Sequence, residues 1–161
     1  ADEVDLKIVP APTLDTLLDT LNPYRPDVLH FSGHGGGQTL LFDNDKAGTD
    51  GGTVLDFDMV ASVVGATSTA PKLLVLVACD TVEGAERFLD TVPVVIAMAD
   101  SIDDDAACEF SARFYRSLSA GATIGNSLTQ AKLVLKNKGY ADASLPTLVA
   151  RDERAAQRAF L

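Results

Sequence analysis

Two apolar runs without polar alternation, Leu73 to Ala78 (LLVLVA) and Val94 to Met98 (VVIAM), limit this chain to few folds. A strand buried on one face alternates apolar and polar residues. A strand covered on both faces reads as a continuous aliphatic run, the pattern of a parallel sheet between helical layers. Val28 to Phe31 (VLHF) has the same character and is expected near the centre of the sheet rather than at its edge.

The segments between these runs have helical spacing. Leu14, Leu17, Leu18 and Leu21 form one apolar stripe behind Thr13, a residue suited to capping, and Asn22-Pro23 is expected to end that helix. Asp56 can cap a short helix with Phe57, Val60 and Val64 facing inward, and Ala85, Phe88 and Leu89 suggest a brief turn of helix. Ala107, Phe110, Phe114 and Leu118, then Ile124, Leu128, Ala131 and Leu135, make two longer amphipathic helices. Gly121 closes the first, and Lys136, Lys138 and Gly139 close the second. Asp5 to Val9 (DLKIV) alternates and is expected to form a short strand, making a strand-helix-strand unit with Val28 to Phe31. Thr39 to Phe42 reads as a strand or hairpin arm, Leu148-Val149 as an extended piece, and Asp43 to Gly52 as an acidic, glycine-rich functional loop. The sum is one α/β domain with helices on both faces of a mostly parallel sheet.

At 161 residues such a domain buries roughly two-thirds of its unfolded surface and needs no disulfide framework. The two cysteines, Cys79 and Cys108, are expected as free thiols in a reducing, cytoplasmic compartment. No apolar run reaches the roughly 18 residues of a membrane span. The net charge of −10 opposes binding to phosphate backbones and favours a basic partner. Acidic residues at Asp43, Asp45 and Asp50, and from Asp100 to Asp105, either shape a negative field around a cleft or are solvated loops and helix starts. The chain opens on Ala1 and is expected to be a domain of something longer.

The chemistry concentrates at two strand ends. Asp27 to Gly37 (DVLHFSGHGGG) runs a strand into His34, wrapped in glycines, and Cys79 closes the run LLVLVAC. Ligands of open parallel sheets bind beyond the carboxyl ends of the strands, so these two side chains share an edge if their strands are neighbours. A thiol beside an imidazole is an activated nucleophile, and Gly35 would let backbone N–H groups approach a developing oxyanion. Gly35 and Cys79 N–H are the oxyanion-hole candidates. The same residues allow quieter readings: Cys79 as an inert core hydrophobe, His30 as a packed strand residue, and GHGGG as a phosphate cradle, though one without a P-loop lysine. Two histidines and two cysteines offer no zinc-type spacing, and no metal or cofactor is expected.

Phe31-Ser32-Gly33-His34-Gly35, Val77-Ala78-Cys79-Asp80-Thr81, Val95-Ile96-Ala97-Met98 and Phe114-Tyr115 through Ala120-Gly121 resemble, in order, the CHAT domain of the bacterial caspase-like cysteine proteases. The resemblance spans about residues 5 to 150. It implies a caspase-like three-layer α/β/α sandwich and peptide-bond hydrolysis, with Cys79 as nucleophile and His34 as general base and acid. It further implies an effector of bacterial antiviral defence or regulated cell death, acting on a protein or peptide substrate and controlled by a sensor or regulatory domain. Residues 1–161 lack the family's first strand and helix, and Val77 stands where the family often has Asn. An inactive scaffold is the alternative. Relatives that cleave after basic residues use a pocket carboxylate, for which Asp80 and Asp100 are the candidates.

Overall fold

The computed structural model describes residues 4–44 and 51–157. Its main sheet has four strands, β1 (Val28–Ser32), β5 (Leu73–Val77), β6 (Val94–Met98) and β7 (Pro146–Ala150), in the order β1-β5-β6-β7. β1 and β5 pair in parallel, as do β5 and β6, while β7 runs antiparallel to β6. A smaller antiparallel sheet holds β2 (Gly35–Gly36), β3 (Thr39–Phe42) and β4 (Thr53–Asp56).

The alternating side chains of the main sheet face two cores. Leu74, Leu76, Ala78, Val95 and Ala97 meet α1 (Leu14–Tyr24), α2 (Phe57–Gly65) and Phe88 from a short 3-10 turn at Ala85–Phe88. Leu73, Val75, Val77, Val94, Ile96 and Met98 meet α3 (Asp104–Ser119) and α4 (Ile124–Asn137). The result is a helix-sheet-helix sandwich. Every residue of β5 and β6 is buried, as their unbroken apolar composition requires.

Local signals behave as their chemistry predicts. The Thr13 hydroxyl accepts the Thr16 amide at 3.1 Å and the Asp56 carboxylate accepts the Met59 amide at 2.8 Å, so each satisfies a donor left open at its helix start. α1 continues one residue past Pro23 and stops where Arg25 turns left-handed at φ 49°.

Three expectations are corrected. Residues 4–9 form no strand; Val4, Leu6 and Ile8 are 63, 75 and 77 % exposed. Alternation becomes a strand only when a neighbour takes its backbone hydrogen bonds. Among the described contacts the segment is tied down only through Tyr24, whose Oη donates to the Asp5 carbonyl at 2.8 Å and whose ring lies 5.9 Å from Lys7 Nζ. In consequence β1 lies at the edge of the main sheet and not near its centre, and its residues are only partly buried. The strand-helix-strand unit is absent among the described residues. The loop expected from Asp43 to Gly52 falls largely outside them, since 45–50 are not described, but the Asn44 side chain donates from Nδ2 to the Gly51 carbonyl across its base. β4 and a last short helix, α5 (Glu153–Gln157), were not expected.

Candidate functional site

His34 and Cys79 lie beyond the carboxyl ends of neighbouring parallel strands. The register pairs Ser32 with Val77, and the Gly33 amide continues it by donating to the Val77 carbonyl at 3.2 Å. Each reactive residue therefore sits two positions past a matched pair, on strands about 4.8 Å apart. The loop carrying His34 folds onto the cysteine segment. A Cβ at Gly35 would lie 3.1 Å from Ala78 Cβ and 2.9 Å from the Thr39 carbonyl oxygen, and one at Gly36 would lie 3.9 Å from the Cys79 carbonyl oxygen. Glycine at 35 is thus required by packing as well as suited to an approaching oxyanion.

The two residues are held by different sheets. The His34 carbonyl accepts the Leu41 amide of β3 at 3.0 Å, so its loop belongs to the small sheet. Cys79 is partly buried at the end of fully buried β5. Asp80, the next residue, is exposed and left-handed at φ 52°, a conformation that Asp tolerates better than most residues. Asp100 lies two residues beyond β6 on the same edge, exposed, and its carboxylate accepts the Ser101 amide at 2.7 Å. Four of the five sequence candidates therefore cluster on the adjacent ends of β1 and β5, and Asp100 lies one strand further along. Two surface depressions, one between Asp58 and Thr91 and one between Cys108 and Lys138, include none of them.

Two residues at this edge went unassigned in the sequence. Gln38, at the β2–β3 turn with φ 62°, donates to Glu83 Oε1 at 3.4 Å and accepts from Arg87 Nε at 2.9 Å; Arg87 in turn pairs with Asp58 at 2.7 Å. This exposed clasp joins the histidine hairpin to the segment after Cys79. Thr81 is fully buried and closes the cysteine turn. A buried threonine two residues past the cysteine is its one sequence signal.

His30 faces the opposite layer, where its Nδ1 is 2.7 Å from Tyr115 Oη. Burial lowers the His30 pKa to about 4 and raises that of Tyr115, so both are neutral near pH 7. The unfolded chain, with a pKa near 6.5, takes up a proton that the native state refuses until about pH 4. Native stability should therefore be full above pH 6.5 and fall by about 3 kcal/mol as pH drops through this window. Urea midpoints at pH 7 and 4.5 should separate wild type from His30→Asn, whose stability should change less. Parallel losses in the two proteins would refute the assignment.

Among the described residues no group of three or more His, Cys, Asp or Glu side chains could hold a metal, and no helix is long and apolar enough to cross a membrane. A mostly parallel sheet between two helical layers, with a histidine loop and a cysteine turn beyond adjacent strand ends, is a caspase-like α/β fold. The CHAT domain profile matches residues 1–147, and the chain belongs to that family. It is similar to the Roc-COR-CHAT protease of Runella zeae, with 31% identity over 96 residues that make up 58% of this chain and 10% of the relative. A second Roc-COR-CHAT protease, from an unknown prokaryotic organism, is 26% identical over 130 residues, 78% of this chain and 12% of that protein. The chain thus spans about a tenth of the length of these bacterial-type relatives.

Proposed function

We propose that the chain is a cysteine endopeptidase domain in which His34 and Cys79 act as a dyad. The observation that carries the reading is the shared register of β1 and β5, which brings the histidine loop and the cysteine turn to one edge. His34 takes the thiol proton and Cys79 Sγ attacks the scissile carbonyl carbon. The N–H groups of Gly35 and Cys79 receive the oxyanion. The imidazolium then gives its proton to the leaving amine, the C–N bond breaks, and a thioester remains. Water, deprotonated by His34, attacks that thioester; the C–S bond breaks and the thiolate recovers its proton.

Asp80 and Asp100, exposed on the same edge, support a preference for a basic residue before the scissile bond. Arg25, the arginine nearest His34 in sequence, follows α1 at the other end of β1. Mass spectrometry of a digested peptide library tests both statements. Cleavage after Lys or Arg is expected, with Asp80→Asn lowering kcat/KM for such peptides by about tenfold, the loss of one charge-assisted contact of 1–2 kcal/mol. Cleavage after acidic or small apolar residues would refute the preference, and no cleavage by an activated full-length protein would favour a protein-binding scaffold.

Residues 1–161 are read as one CHAT domain of a longer protein. The Roc-COR-CHAT relatives support control by a partner domain; the role as an effector in bacterial defence or regulated cell death in the cytoplasm rests on the family resemblance alone.

A further inference from the structure

The cysteine turn is closed by a buried hydroxyl. Thr81 Oγ1 lies 3.1 Å from the Ala78 carbonyl and 3.2 Å from the Leu76 carbonyl, and it accepts the Met98 amide at 3.0 Å. A hydroxyl offers one donor and two acceptor sites, so the three neighbours occupy its donor in a shared bond and one of its lone pairs. The backbone adds two bonds to the same point: the amides of Thr81 and Val82 donate to the Met98 carbonyl at 2.9 and 3.1 Å.

These bonds do work that β5 no longer does. The β5–β6 ladder ends at Leu76 and Ala97, which leaves Met98 without a strand partner on that side. Thr81 takes that place, so the chain leaves the sheet after Val77 and is recaptured four residues later. Only Ala78, Cys79 and Asp80 lie between the two anchors. Ala78 is buried beneath Gly35 and Asp80 is left-handed, so the last free variable of the turn is the direction of Cys79.

We propose that Thr81 is a positioning residue for Cys79, aiming its thiol and its amide through the bonds of Oγ1 to Ala78 and Met98. This rests on the reading of Cys79 as the nucleophile. Valine at 81 keeps the shape but leaves the Met98 amide and the Ala78 carbonyl without that partner; serine keeps the hydroxyl.

Two readouts test the assignment in the full chain: steady-state cleavage of a library-derived peptide, and the rate of Cys79 alkylation by iodoacetamide, followed by mass spectrometry. Exposed Cys108 on α3 serves as internal reference. Thr81→Val should lower kcat by about 10- to 100-fold with KM within about threefold, the signature of misplaced reacting atoms. It should also slow alkylation of Cys79 relative to Cys108. Thr81→Ser should restore both. A folded Thr81→Val protein with wild-type kcat and alkylation would overturn the proposal, as would Thr81→Ser losing as much as Thr81→Val. If Thr81→Val does not fold, Thr81→Ala, which leaves room for water, takes its place against Thr81→Ser with the same criteria. An activated full-length protein that cleaves no peptide would defeat the protease reading, while the alkylation rates would still decide the role of Thr81.

Discussion

Replacing Cys79 by alanine, or His34 by alanine, is expected to lower kcat for peptide cleavage by at least about 10³-fold. If the imidazole and the thiol act as one unit, as proposed, the two losses should not add: the double variant should be about as slow as either single one. Cys79→Ser should recover little, since a hydroxyl is far less acidic than a thiol. The three single substitutions should change the free energy of unfolding by no more than about 0.5 kcal/mol, as expected of side chains that face outward and not into a core. Initial rates on one library-derived peptide, with circular dichroism to verify folding, check the set. Cleavage that survives both single substitutions would remove the dyad.

Phe114→Ala is expected to cause the largest loss of stability. Phe114 is fully buried on α3, stacked on Phe110 with centroids 5.6 Å apart and edge-on to Tyr115 at 5.2 Å. Removing the ring takes away its transfer free energy and leaves a cavity between α3 and the main sheet, a cost of about 3–5 kcal/mol. For a domain of this size that is about a 6–20 °C fall in Tm. Differential scanning calorimetry would show it. A shift of only a degree or two would mean that the layer repacks around the gap. Tyr115 belongs to the same cluster, so part of the loss would come through its bond to His30.

What could be read in the sequence depended on whether a signal was local. β5 and β6 were legible because five consecutive apolar residues have no other stable place, and the caps at Thr13 and Asp56 because each bonds an amide three residues on. Val4, Leu6 and Ile8 misled because their alternation describes a face, whereas strand formation also needs a neighbour along the backbone. β1 was misplaced for the same reason. Its apolar residues indicate contact on both faces and say nothing of its edge. β4 was missed because Thr53 to Asp56 is mostly exposed and takes its order from pairing with β3.

At the site, the two strand ends were legible as motifs, but that they adjoin depends on strand order, which no residue in either motif encodes. Thr81 was quoted in the cysteine motif without a role, because its partner Met98 lies on the next strand. Gln38 gave no signal at all: its partners Glu83 and Arg87 follow from how the hairpin folds over the cysteine segment.

The division between the two sheets has a mechanical meaning. Cys79 follows the fully buried β5, whereas His34 belongs to a three-stranded sheet that is anchored in the core by Leu40 and Phe42 and joined to the cysteine side by Gly33, the Gly35 contact and the exposed Gln38 clasp. Surface polar bonds of that kind contribute little, up to about 1 kcal/mol each. Moving the whole small sheet would pull Leu40 and Phe42 out of the core, whereas breaking the clasp would loosen only the turn at Gln38. Of the ties between the histidine hairpin and the cysteine segment, the exposed Gln38 bonds are therefore the easiest to break, and a partner that engages Glu83 or Arg87 would act on the hairpin turn first.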